Sequence, residues 1–221
     1  MSGLPGEIGL SGLKFFGTMT AAVSHDIKNV MAIINENAGL IKDLILMSPK
    51  GLPLDAERIN TLADRCCRQV VRADEIIKGL NRFSHSIDDP VKRVDMGEVM
   101  DLTLALSGRF ARLKGVVVDL NPTPENVSVT TNPFFLSHLL WLCMDYALDT
   151  AGEDKKITID TQKQGPDIRI CFMGLCAGCN ESRKALFTEQ AKNILDFLKA
   201  ELEIDETNQM IRITVPIGPE N

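Results

Sequence analysis

No stretch of this chain stays apolar long enough to cross a bilayer. Lys, Asp or Asn interrupts every candidate run, whereas a spanning helix needs about 20 predominantly apolar residues. The N-terminus, MSGLPGEIGL, places no charged region ahead of an apolar one, so no secretory signal is read there. Positive charge is in deficit, with 24 Lys and Arg against 30 Asp and Glu and a net charge of −6. A nucleic-acid binder needs a concentrated basic surface to displace counterions, which this balance argues against. A soluble, cytoplasmic protein is expected, with neither nucleic acid nor a membrane as partner. Internal repeats and low-complexity tracts are missing too. So is a metal-type set of cysteine pairs. Of Cys66, Cys67, Cys143, Cys171, Cys176 and Cys179, only the last two form a C-x-x-C, in Cys-Ala-Gly-Cys. Zinc usually takes four ligands, so this pair reads as a turn of small residues and the thiols as reduced.

What is present is ordinary in amount, 44% apolar and 24% charged residues over 221 positions, and distinctive in pattern. The period changes near Asp88-Asp89-Pro90, which divides the chain into 1–89 and 90–221. In the first part, Phe16, Val23, Ile27, Val30, Ile34, Ile41 and Ile45 recur at helical spacing. Ser48-Pro49-Lys50-Gly51-Leu52-Pro53 breaks that helix. A second stripe then runs through Ile59, Leu62, Cys66, Val70, Ala73, Ile77 and Leu80. Two long helices and a short loop make an antiparallel hairpin. One hairpin buries one face of each helix; two hairpins in a homodimeric four-helix bundle bury all four stripes. The competing arrangement packs the hairpin on its own C-terminal half.

The second part reads as an α/β sandwich, giving an α+β chain overall. A helix is expected over roughly 95–113 with Asp95 as N-cap. Short strands follow at Val116–Leu120 and Val127–Thr130. Asn132-Pro133, a cap followed by proline in the first turn, opens an apolar helix over 133–150. Strands at Ile157–Thr161 and Ile168–Phe172, a helix near 183–201, and a hairpin from Leu202–Asp205 to Met210–Val215 complete the reading.

His25 is rotated about 200° from Val23 on the first helix, away from the buried stripe. Asn29 lies one turn on, on the same outward side, and Asp26 adjoins the histidine. A neutral imidazole nitrogen is a competent nucleophile for phosphorus, and a neighbouring carboxylate can orient it or accept its proton. Three further features are weaker. His85 reads as solvated, His138 as a packing residue of an apolar helix, and Arg65, Arg68 and Arg72 as a row on the outward face of the second helix. Such a row is usually solvated; it is also suited to an acidic partner.

Ser24-His25-Asp26-Ile27-Lys28-Asn29 resembles the phosphoacceptor box of two-component sensor histidine kinases, S-H-[DE]-[IL]-[KR]-N, and it sits on the first helix of a hairpin as in that family. The resemblance extends along the chain, because an α/β domain follows where the family has its ATPase domain. It implies His25 as the phosphorylated residue, Asp26 as the acid assisting transfer, and Asn29 as the residue positioning water against a response-regulator aspartate. The second half departs from the family. Where one helix should carry two asparagines holding Mg²⁺ and nucleotide, this chain has Trp141 and Asp145. The family's D-x-G-x-G turn reads Gly174-Leu175-Cys176-Ala177-Gly178, and the later glycine-rich box and its lid are missing.

The resemblance therefore implies a histidine phosphotransferase of a phosphorelay, moving a phosphoryl group between receiver-domain aspartates through His25. ATP binding is not expected and no cofactor is held; Mg²⁺ comes with the partner receiver. Its alternatives are a divergent active kinase using Asp145 for Mg²⁺, an inert kinase-binding regulator, and a phosphatase acting through Asp26 and Asn29.

Overall fold

The computed structural model describes residues 6–47, 53–123, 127–176, 178 and 181–218. In chain order these form α1 (Gly6–Met47), α2 (Ala56–His85), β1 (Lys92–Asp95), α3 (Met96–Lys114), β2 (Val117–Leu120), β3 (Ser128–Thr131), α4 (Pro133–Asp149), β4 (Lys156–Gln164), β5 (Asp167–Met173), α5 (Glu181–Leu198), β6 (Glu201–Asp205) and β7 (Met210–Pro216). The α+β organisation holds: a long helical hairpin comes first and an α/β sheet domain follows. The helix break over Ser48–Pro53 lies mostly outside the described residues, as does the end of the Cys176–Cys179 turn. Two compact units are present: Met19–Asn81, and Met1–Thr18 together with Arg82–Asn221.

The hairpin unit comprises most of α1 and α2. The Cys66 thiol donates to the Ile34 carbonyl at 3.7 Å. These two residues stand at similar distances from the break between the helices, so α1 and α2 run antiparallel. Met19, Val23, Val30 and Leu62 are buried at the seam, with Ile27, Ile34 and Ile41 half-buried. Asn37 is buried there too, and its amide donates to the Ile33 carbonyl at 2.6 Å, so no polar group is stranded by it. Three residues of the expected stripes stay open: Ile45 is 52%, Val70 57% and Ile77 47% exposed. On α2 the seam is supplied by Leu62, Ala73 and Leu80 of the expected stripe, joined by Gln69 and Ile76. A helix with so wide an apolar arc has two faces, and one partner helix covers only one of them.

In the other unit, β2-β4-β5-β7-β6 form one sheet. β2 and β4 are parallel and the remaining pairs antiparallel. Ile157, Ile159, Ile168, Ile170, Phe172, Ile211, Ile213 and Val215 are buried, while the residues alternating with them are half-buried or exposed. Side chains alternate across a strand, so one face of the sheet is covered by helices and the other is open. The central cover is α4, enclosed on nearly all sides. Asn132 caps it, accepting from the Phe135 amide at 2.9 Å, and Pro133 occupies the first turn; such a cap contributes about 1 kcal/mol. Asp95 caps α3 likewise, and Gly115, at φ 64°, ends it in the left-handed conformation.

Four-residue β1 was not foreseen; it pairs antiparallel with β3. The first turns of α1 belong to this unit as well. Phe15 packs between Phe83 and Phe134, with ring centroids 5.3 and 5.5 Å away. A side chain at Gly12 would press on the Phe134 ring at 3.0 Å, so glycine is what lets α1 approach α4.

Candidate functional site

His25 lies on the part of α1 inside the hairpin unit, with its side chain half exposed. The amide nitrogen of Asn29, one turn later, is 3.2 Å from His25 Nδ1. The Asp26 carboxylate approaches the same nitrogen at 4.0 Å, too far for a hydrogen bond. Both contacts fall on Nδ1, which leaves Nε2 as the nitrogen offered to a partner. The Asn29 amide sets the tautomer. With its NH₂ toward the ring, Nδ1 accepts and Nε2 carries the proton. With its carbonyl oxygen toward the ring, Nδ1–H donates and Nε2 keeps its lone pair. The helix therefore brings His25, Asp26 and Asn29 together, since positions i and i+4 share a face.

On α4, Trp141, Asp145 and Asp149 follow one another at helical-turn spacing. Trp141 is buried, its ring centroid 4.5 Å from that of Phe110 on α3. Asp145 and Asp149 are not free for a cation. Lys114, at the end of α3, reaches Asp145 Oδ1 at 3.1 Å and Asp149 Oδ1 at 2.6 Å. Arg183, in the first turn of α5, reaches Asp145 Oδ2 at 2.6 Å and Asp149 Oδ2 at 2.7 Å. All four carboxylate oxygens are thus occupied by two cations, in a clasp joining three helices.

The segment after β5 is equally committed. The Gly174 carbonyl accepts from the Gly152 amide at 2.9 Å, the Leu175 amide donates to Gln209 at 3.0 Å, and the Cys176 amide donates to Thr150 at 2.7 Å. Gly174 has φ 97°, and a side chain there would overlap the Lys156 carbonyl. A carboxylate at this position has no room, and amides engaged in the fold cannot cradle phosphates. These residues do not fit a Mg²⁺–nucleotide. Among the described residues no group of three His, Cys, Asp or Glu side chains could hold a metal ion.

His85, largely exposed, pairs through Nδ1 with Asp88 at 2.7 Å. His138 is buried in α4, stacked on Phe15 with ring centroids 4.4 Å apart. Burial lowers its pKa to about 4, and its Nδ1 has no hydrogen-bond partner among the described residues. Arg65, Arg68 and Arg72 are all exposed on α2. No described helix is long and apolar enough to cross a membrane.

No protein-family model matches this chain, and no curated protein does. Solved structures similar to it include histidine kinases. The Acinetobacter baumannii histidine kinase AdeS is 13% identical, with 83% of this chain and 96% of that one covered and a TM-score of 0.48. A histidine kinase from Burkholderia phymatum is 13% identical, with 86% and 99% covered and a TM-score of 0.47. The catalytic domain of histidine kinase ThkA is 15% identical, with 59% and 99% covered and a TM-score of 0.49. Likenesses this distant assign no family.

The clasp is the feature that the sequence did not reveal. Lys114 and Arg183 are remote from Asp145 in the chain, and only folding joins them. A signal was nonetheless present: two carboxylates one turn apart on an otherwise apolar helix require cations from somewhere.

Proposed function

We propose that this protein is a histidine phosphotransferase of two-component type, passing a phosphoryl group between aspartates of receiver domains through His25, without ATP of its own. The observation that carries this reading is the contrast between two sites. His25 is exposed, with Nδ1 held by Asn29 beside Asp26, while the α4 carboxylates are fully paired with Lys114 and Arg183. The phosphoacceptor-like box around His25 supports the same chemistry.

In the step itself, the Nε2 lone pair attacks the phosphorus of an aspartyl phosphate. The N–P bond forms, the P–O bond to the aspartate breaks, and the carboxylate leaves with that bond's electron pair. The step uses the Nδ1–H tautomer, so the Asn29 amide turns over from the orientation that places its nitrogen on Nδ1 and accepts the Nδ1 proton with its carbonyl oxygen, while the Asp26 carboxylate offsets the positive charge that develops on the ring. The reverse step hands the group to a second receiver. A receiver brings the divalent cation that neutralises the phosphoryl oxygens, so the chain itself need supply none.

Dimerisation belongs to this reading. Met31 is 63% exposed on α1, and it shares a flank with Ile27 and Ile45; Val70 and Ile77 share a flank on α2. Apolar flanks along both helices suit a second hairpin, completing a four-helix bundle.

The test is transfer from a phosphorylated receiver domain. The native protein should acquire a phosphoryl group that is stable in alkali and lost in acid, and His25→Ala should acquire none. Equal labelling of His25→Ala, or no transfer from any receiver of the source organism, would overturn the proposal.

A further inference from the structure

α2 carries a second pattern beside its apolar one. Arg58, Arg65, Arg68 and Arg72 are exposed, and at about 100° per residue they fall within an arc of roughly 80°. Among the described residues none of the four is ion-paired, whereas Lys78 on the same helix is held by Asp74 at 2.7 Å. Four unpaired guanidinium groups along one edge of a helix are notable in a chain whose net charge is −6. Asp64 and Glu75 border the row without neutralising it.

The side of the hairpin on which this row lies follows from helix geometry. On α2 the seam runs through Leu62, Gln69, Ala73 and Leu80. Rotating one way from it reaches Val70 and Ile77, and rotating the other way reaches the arginines. On α1 the seam runs through Met19, Val23, Val30 and Asn37. The same first rotation reaches Ile27, Met31 and Ile45, and the opposite one reaches Asn29 and then His25. Antiparallel helices are related by a two-fold axis normal to the hairpin, so equal rotations from the seam reach the same side on both. The apolar flanks therefore share one side, and Asn29, His25 and the arginine row share the other. The level is set by Cys66 opposite Ile34. Arg72 then stands level with Lys28, within about one turn of His25, and Arg68 and Arg65 continue toward the hairpin's loop end.

We infer that Arg65, Arg68 and Arg72 form a docking strip for an acidic protein surface, the carboxylate-rich surround of the phosphoaspartate that exchanges with His25. This rests on the phosphotransferase reading and names what selects its partner. An aspartyl phosphate that works with a divalent cation must be ringed by the carboxylates that hold the cation. A protein face of that kind, brought in-line with Nε2 of His25, overlies the arginines. Long, flexible guanidinium groups that have no partner of their own suit such a face, giving association rate and partner choice more than static stability.

The experiment compares two phosphodonors on the native protein and on R65Q/R68Q/R72Q, with circular dichroism confirming that the variant is folded. One donor is phosphoramidate, which is small and needs no docking. The other is whichever receiver domain of the source organism, phosphorylated with acetyl phosphate, transfers fastest to the native protein. The variant should take phosphoryl from phosphoramidate at the native rate and lose about tenfold or more in second-order rate with the receiver. The native receiver reaction should slow with added salt, and the variant's should be nearly salt-independent. Native receiver rates and native salt dependence in the variant would overturn the strip while leaving His25 as acceptor. Failure of both donors to label native His25 would overturn the strip and the phosphotransferase reading together.

Discussion

His138 should make this protein acid-labile in a way that one substitution removes. The ring is 3% exposed, stacked against Phe15, with no hydrogen-bond partner for Nδ1. Burial lowers its pKa from 6.5 to about 4. The unfolded chain therefore takes up a proton as pH falls through 6.5, while the folded chain resists until about 4. In that window protonation favours unfolding, so the stability present above 6.5 is lost progressively as pH falls and is fully lost below the folded value. The interval between the two values, at about 1.4 kcal/mol per pH unit, corresponds to roughly 3 kcal/mol. That is a large part of the 5–15 kcal/mol or so that stabilises a typical domain. His138→Leu keeps the apolar bulk and removes the titration. Urea unfolding followed by fluorescence of the single, buried Trp141 gives the stability of each protein at a series of pH values. Carboxylates titrate in both proteins, so the quantity to read is the difference between the two curves. It should shift by about 3 kcal/mol in favour of the variant between pH 7 and 4. Parallel curves would refute the reasoning and mean that the imidazole is hydrated or hydrogen-bonded in the folded protein.

Two other outcomes follow from the fold. Gly174→Ala should destabilise by about 2 kcal/mol or more, because a non-glycine residue at positive φ is strained and its Cβ overlaps the Lys156 carbonyl; thermal unfolding measures this. V70D/I77D should leave helix content by circular dichroism unchanged and turn the proposed dimer into a monomer by light scattering, since both side chains are exposed in the single hairpin.

Much of this architecture is written locally. Asn132-Pro133 marks the start of α4 through a cap and a proline, and Asp95 marks α3 in the same way. The alternating isoleucines of β4, β5 and β7 announce a sheet with one covered face. What was hidden depends on distant partners. β1 is four residues, three of them charged, too short for alternation to register, and exists because β3 pairs with it. The first turns of α1 carry Gly6, Gly9, Gly12 and Gly17, poor helix formers by propensity. They are helical where Ile8, Gly12 and Phe15 pack, and no periodicity reveals that their partner is α4.

The candidate site divides along the same line. His25, Asp26 and Asn29 lie within five consecutive positions, so helical geometry alone brings them together. The loss of a free carboxylate at Asp145 could not be read so directly. The sequence showed an aspartate of a kind able to serve a cation; only the fold brings Lys114 and Arg183 onto both of its oxygens.

The central claim, that His25 receives its phosphoryl group from a partner protein and not from ATP bound in this chain, is tested most directly by the source of the label. The protein is incubated with Mg²⁺ and γ-labelled ATP in one sample, and with a receiver domain carrying labelled aspartyl phosphate in another. Acid-labile label is expected on His25 in the second sample only. Label on His25 from ATP alone, in the purified protein, would contradict it.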